Sequence, residues 1–273
     1  MDPQRADHPL GCRTGMSFAA GPEPKLDDDC AERGPFAINP SLDPSRMRAA
    51  FRRTGRLHIQ DFLTTEGAAL LHSHLRARND WLLVINQQER LFELDRAAQD
   101  ALSKEQREQL ETAIAKSARD GFQFCFETVR VADADADRAA DGNLLATFAR
   151  FMSSDPVLEF MRTVTGRPDM NFADAQATAY GPRHFLTAHD DDVEGKHRAA
   201  AYVFNLTPDW RVDWGGLLMF HSPNGHVQEA LAPRFNALNL FAVPQLHSVS
   251  YVTPFVPNRR YAVTGWLRTS SKP

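Results

Sequence analysis

Between residues 41 and 164 apolar residues recur at helical spacing in several segments, separated by three strand-like runs. Beyond Asn171 the pattern changes to strands separated by turns. Ser41 or Asp43-Pro44-Ser45 can cap a helix through Met47, Ala50 and Phe51, and Gly55 is placed to end it. Residues 56–63 largely alternate polar and apolar, as a strand does. Thr64-Thr65-Glu66-Gly67 opens a helix on which Ala68, Leu71, His72 and Leu75 share a face. His72 and His74 lie about 200° apart round that axis and cannot share a metal. Residues 81–86 read as a strand and Asn86-Gln87-Gln88 as a turn. Residues 95–119, rich in Ala, Gln, Glu, Lys and Arg, predict a long exposed helix or a pair broken near Ser103. Alternation over 121–130 predicts a strand, with Phe122, Phe124 and Phe126 read as core. The Asp/Ala-rich piece 132–142 reads as a solvated loop or a substrate lid. Leu145, Phe148, Met152, Leu158, Met161 and Val164 resume helical spacing, divided at Asp155-Pro156 and ended by Gly166.

Strand candidates then follow closely at 173–180, 185–190, 198–206, 216–221, 237–243, 247–252 and 260–267. Several short strands preceded by helices predict an α+β chain with a double-sheet barrel, a jelly roll, and helices flanking it. Gly215-Gly216 allows a strand to start tightly against a neighbour, and Pro244-Gln245 turns the chain to bring His247 to a strand start. Residues 1–40 mix Pro, Gly, Asp and Arg without periodicity and include Asp27-Asp28-Asp29. The expectation is a flexible amino-terminal arm followed by one domain over 41–273, with Met16 as an alternative start.

Composition narrows the function classes. A net charge of −4 and a pI near 6.2 give no basic footprint for nucleic acid or an anionic membrane. Cys12, Cys30 and Cys125 are far apart with no CxxC spacing, so neither a disulfide framework nor a zinc ribbon is indicated. No apolar run approaches the roughly 18 residues of a membrane span, and the amino terminus lacks the order of a signal peptide. The expected location is the cytoplasm.

The chemistry lies in Gln176 to Asp192 and further on. If 185–191 is extended, His189 and Asp191 point the same way and can hold one ion, while Asp190 points away. With His247 they form two imidazoles and one carboxylate, the facial set expected of a non-haem Fe(II) oxygenase. His184 rivals His189 but lacks an acid two positions on, and His221 and His226, rivals of His247, flank the turn Ser222-Pro223-Asn224-Gly225. On the last strand Arg260, Ala262, Thr264 and Trp266 share one face. An arginine inside a barrel is an unpaired buried charge unless an anion meets it, and a dicarboxylate co-substrate reaching from the iron to Arg260 and Thr264 resolves this. Arg259 does not share the face of Thr264. Trp210, Trp214 and Trp266 read as packing residues.

These residues carry a family resemblance. Residues from about 172 to 269 resemble the 2-oxoglutarate- and Fe(II)-dependent, prolyl 4-hydroxylase-like oxygenases, in the His189-Asp190-Asp191 triplet, the Arg260-Tyr261-Ala262-Val263-Thr264-Gly265-Trp266 strand, Asn205-Leu206-Thr207-Pro208-Asp209-Trp210 and Trp214-Gly215-Gly216-Leu217-Leu218. The resemblance implies a double-stranded beta-helix at about 172–269, iron at His189, Asp191 and His247, and 2-oxoglutarate at Arg260 with Thr264 assisting. It further implies Tyr180 on the co-substrate pocket, O2 as second co-substrate and ascorbate as a further candidate cofactor. Asn205 stands where some members supply a second tyrosine, and its amide can donate the same hydrogen bond. The implied activity is hydroxylation of a carbon, with a prolyl residue of a protein or peptide as leading substrate. A free amino acid or small metabolite is the enzymatic alternative, and a catalytically silent ligand- or partner-binding barrel the non-enzymatic one.

Overall fold

The computed structural model describes residues 34–88 and 90–269; most of the expected arm lies outside the described residues. Order begins ahead of Ser41: Phe36 is buried and packs edge-on against Phe148 at 5.3 Å, and Ile38 bridges Leu63.

Capping chemistry places the helices. α1 (Pro44–Thr54) starts at Asp43, whose carboxylate accepts from the Ser45 and Arg46 amides, and stops at left-handed Gly55. α2 (Thr65–Ala77) starts at Thr64, and α6 (Leu144–Met152) at Asn143. α7 (Asp155–Thr165) carries its proline in the first turn and ends at Gly166. The polar stretch after residue 95 is a pair: α3 (Arg96–Ala101), then α4 (Lys104–Asp120), which begins at a Ser103–Gln106 capping box.

Twelve antiparallel pairings join the strands, and the face each strand turns inward decides which side chains reach the interior of the curl. The described strands are β1 (Arg56–Ile59), β2 (Leu82–Gln87), β3 (Arg90–Asp95), β4 (Phe124–Arg130), β5 (Phe172–Ala173), β6 (Gln176–Tyr180), β7 (Phe185–His189), β8 (Arg198–Asn205), β9 (Leu218–His221), β10 (Val227–Leu231), β11 (Ala237–Ala242), β12 (His247–Val249) and β13 (Arg260–Arg268).

 The curled sheet runs β1-β11-β8-β13-β6-β4-β7-β12-β9-β10, with β2 and β3 extending from β4 and β5 beside β13; every pairing is antiparallel. Along β8, Ala200, Tyr202 and Phe204 enter the core under the helices, while Ala201 and Val203 face inward with Leu218, Phe220, Phe241 and Ala262. The apolar stripes of α2 (Leu71, Leu75), α6 (Phe148, Met152) and α7 (Leu158, Met161) close over the outer side. Each such fully buried side chain contributes roughly 1.5–3 kcal/mol. The result is the expected α+β arrangement, a jelly-roll core with flanking helices.

Four stretches differ from the sequence reading. Residues 132–142 are not simply a solvated loop: they contain α5 (Asp135–Asp141), pinned by Arg138, which is 2% exposed. Its guanidinium donates to the carbonyls of Ala132, Ala149 and Ala173 and to the Ser153 hydroxyl. β3 and β10 follow turns the sequence shows, but their side chains are largely exposed, so no buried alternation marks them. Strand 173–180 is interrupted at Asp174, where β13 passes at Gly265 close enough that a side chain there would collide with the Asp174 carbonyl and the Tyr202 ring. Gly265→Ala is therefore expected to cost on the order of 3 kcal/mol by urea unfolding, whereas Gly142→Ala, in open space at a φ of 61°, should cost about 1.

Among the described residues no helix is long and apolar enough to cross a membrane.

Candidate active site

β7 and β12 pair so that His189 and His247 are direct cross-strand partners, with ring centroids 4.1 Å apart. Asp191 joins them by a different route from the one strand alternation predicts. β7 ends at His189, and Asp191 has a φ of 65°, a left-handed turn that swings its carboxylate back to both rings. Its oxygens lie 3.4 Å from His189 Nε2 and 3.5 Å from His247 Nε2. Arg198 Nη1 donates to the Asp191 carbonyl at 3.1 Å and braces that turn.

The tautomers follow from the second nitrogens. His189 Nδ1 lies 3.0 Å from the Thr187 carbonyl and His247 Nδ1 2.7 Å from the Gln245 carbonyl. A carbonyl only accepts, so each Nδ1 carries the proton and each Nε2 turns a lone pair toward the cluster. Burial, with His189 adding to it, pushes the His247 imidazolium down to about 4, so this ring is neutral at ordinary pH. Burial alone would raise the Asp191 carboxyl, but contact with His189 and His247 outweighs it and holds the group below its usual range. One ligand atom from each residue lies within 4.8 Å of the others, and two free imidazole nitrogens with one carboxylate suit a divalent cation with positions left open.

The same cavity, about 390 Å³, has Arg260, Thr264 and Tyr180 on its wall. Arg260 is 2% exposed; Nη1 donates to the Gly216 carbonyl at 2.6 Å and Nη2 to Asn205 Oδ1 at 3.4 Å, while Nε has no partner. Burial lowers its pKa to about 10, which leaves it charged at neutral pH, and no carboxylate among the described residues pairs with it. A buried cation with neutral partners and a free N–H fits an anionic group in the cavity.

Asn205 sits elsewhere than the sequence reading puts it. Its Nδ2 donates to the Val203 and Ala237 carbonyls, so its amide hydrogens are spent on backbone and its oxygen orients Arg260. It braces the arginine instead of offering the co-substrate a donor. Of the rivals, Arg259 pairs with Glu127, His184 accepts from the Gly181 amide, and His221 meets the Ser248 hydroxyl. None of those three joins the ligand cluster.

Sequence reasoning missed part of the wall. Phe122, Phe124 and Phe126 line the cavity instead of the core, as a ladder that continues into Tyr180, stacked on Phe126 at 5.1 Å. The alternation marked their common face but not what that face meets. Arg198 and Trp266 also line the cavity, the guanidinium 3.5 Å above the indole ring.

His184, by contrast, reports on stability. Burial lowers its pKa to about 4, whereas an unfolded histidine titrates near 6.5. Between those values the unfolded chain binds the extra proton, so stability falls as pH drops from about 6.5 toward 4, by roughly 3 kcal/mol from this group. Urea unfolding across that window should show the loss, with a shallower slope in His184→Gln.

Residues 175–268 match the model of the 2OG-Fe(II) oxygenase superfamily. The chain is 30% identical over 135 residues to prolyl 3-hydroxylase OGFOD1 of Xenopus laevis, an alignment covering 47% of this chain and 24% of that protein. The chain thus spans about a quarter of the length of that relative. Among solved structures, a Pseudomonas putida prolyl-4-hydroxylase superposes with a TM-score of 0.54 at 14% identity, covering 83% of this chain and 99% of that one. A Trichoplax adhaerens prolyl hydroxylase, in complex with a hypoxia inducible factor oxygen degradation domain peptide fragment, gives 0.55 at 17% identity, covering 82% and 89%. At these identities the structures establish the shared fold.

Proposed function

We propose that this chain, whose residues 175–268 match the model of the 2OG-Fe(II) oxygenase superfamily, is a 2-oxoglutarate- and Fe(II)-dependent dioxygenase that hydroxylates a carbon centre, with a prolyl residue of a protein or peptide as its substrate. The observation that carries the reading is one cavity walled both by His189, Asp191 and His247 and by a buried arginine without an acidic partner.

His189 and His247 offer unprotonated Nε2 atoms and Asp191 one carboxylate oxygen to Fe(II). Arg260 and Thr264 hold the far carboxylate of 2-oxoglutarate, and Asn205 and the Gly216 carbonyl keep the guanidinium aimed into the cavity. When bound, the iron with 2-oxoglutarate and O2 supplies the oxidising chemistry, converting 2-oxoglutarate to succinate and carbon dioxide as a substrate C–H becomes C–OH. Tyr180 and the phenylalanine ladder exclude water from that space.

The names of the relatives support the prolyl assignment: one is a prolyl 3-hydroxylase, and one solved neighbour holds a peptide. The wall is also suited to such a residue, since the Trp266 plane and the phenylalanine rings are apolar, while Arg198 offers N–H donors to a peptide carbonyl. The test is a gain of one oxygen atom, located by tandem mass spectrometry, on proline-containing peptides incubated with the protein, Fe(II), 2-oxoglutarate and O2. A gain on free amino acids or metabolites alone would overturn the prolyl assignment. Absence of succinate would favour a silent binding barrel.

A further inference from the structure

Resting on the reading just given, we propose that Glu127 is a positioning residue for Arg260 and thereby sets the affinity for 2-oxoglutarate. Glu127 lies on β4, between Phe126, whose ring faces the cavity, and Thr128. Its own side chain points to the other side of the sheet and is fully buried.

Two guanidinium groups meet there. Arg259 donates from Nε to Oε2 at 2.6 Å and from Nη2 to Oε1 at 3.4 Å, and Arg96, at the start of α3, donates from Nε to Oε1 at 3.4 Å. His184, which also lies near this carboxylate, is kept neutral by burial.

A buried carboxylate flanked by two arginines is weak evidence of stabilisation, because well-packed apolar side chains of the same volume usually serve at least as well. What such a group does better is fix register. Here the register it fixes belongs to the co-substrate arginine. Arg259 is the residue immediately before β13, and Arg260 is that strand's first residue, entering from the irregular segment 250–259. β6 lies between, with Glu127 opposite Ala179, Ala179 opposite Tyr261, and Tyr180 opposite Arg260. The Glu127–Arg259 pair therefore ties the first end of β13 across β6 to β4. Arg260 itself has two neutral acceptors and an unpartnered Nε, which leave its guanidinium dependent on where its own Cα is held. Successive residues of a strand face opposite ways, so one arginine anchors the outside while the next reaches inside.

The test is anaerobic calorimetry of 2-oxoglutarate binding to the full chain loaded with Mn(II), in native, Glu127→Gln, Arg259→Gln and Arg96→Gln forms. The Arg259 side chain is 40% exposed and that of Glu127 fully buried, so Arg259→Gln tests the same ion pair with the smaller disturbance to packing.

 The expected result is an at least tenfold weaker 2-oxoglutarate Kd in Glu127→Gln and Arg259→Gln, a change under threefold in Arg96→Gln, and Mn(II) affinity unchanged in all three. In turnover the loss should fall on the KM for 2-oxoglutarate, with kcat within threefold of native. Combining Glu127→Gln with Arg260→Ala should add nothing to the loss from Arg260→Ala alone. Native-like 2-oxoglutarate affinity in Arg259→Gln, or an equal loss in Arg96→Gln, would overturn the proposal. Failure of the native chain to bind 2-oxoglutarate would instead overturn the functional reading on which it rests.

Discussion

Arg260→Met is expected to weaken 2-oxoglutarate binding by roughly 100-fold or more while leaving the ligand-free protein at least as stable as the native chain. The two effects have opposite signs because the ligand-free fold carries the desolvation of a cation that is 2% exposed and bonded only to a backbone carbonyl and an amide oxygen. Methionine follows the same aliphatic path and removes that charge. A bound dicarboxylate loses its charge-assisted pair at the same stroke, a change worth about 3 kcal/mol or more when one partner of a buried pair is removed. Calorimetry of 2-oxoglutarate binding and urea unfolding of the ligand-free protein measure the two sides. A destabilised variant that still binds 2-oxoglutarate normally would show that Arg260 is a structural residue and nothing more.

Asp191→Ala should abolish metal-dependent activity, with metal affinity falling more than the 10- to 100-fold typical of losing a group that only orients a ligand. The carboxylate supplies the negative charge of the cluster and lies within 3.5 Å of both Nε2 atoms. Without it, two neutral imidazoles remain, held by the Thr187 and Gln245 carbonyls. Those Nδ1 contacts do not involve Asp191, so the ring tautomers should survive and the fold with them. Mn(II) titration followed by electron paramagnetic resonance, beside a circular dichroism melt, separates loss of the metal from loss of the fold. Retained tight Mn(II) binding would contradict the ligand assignment.

The parts of the site that could be read in the chain are those fixed by strand periodicity. Arg260 and Thr264 do share the cavity wall, and His247 does start a strand, because a period of two decides the face of a side chain wherever the strand is regular. Asp191 reaches the cluster although the argument from periodicity fails there, since β7 has already ended and a left-handed residue turns the chain. The triplet was legible as a ligand pair; its backbone path was not. α5 leaves no mark in the sequence because residues 135–141 have no apolar periodicity and the helix is held by the hydrogen bonds of Arg138, a residue with no sequence signal of burial. β3 and β10 are equally unmarked, because exposed strands bury no alternating face. The role of Asn205 depends on carbonyls of β8 and β11 that compete for its amide hydrogens, and a competition between distant backbone groups leaves no trace in spacing.

The central claim, one cavity that takes a divalent metal and 2-oxoglutarate together, is tested most directly by measuring 2-oxoglutarate binding to the native chain without oxygen, with and without Fe(II), and then admitting O2 and assaying succinate. The account predicts binding that Fe(II) strengthens, followed by succinate formation that requires O2. Binding indifferent to Fe(II), or no succinate after oxygen is admitted, would contradict it.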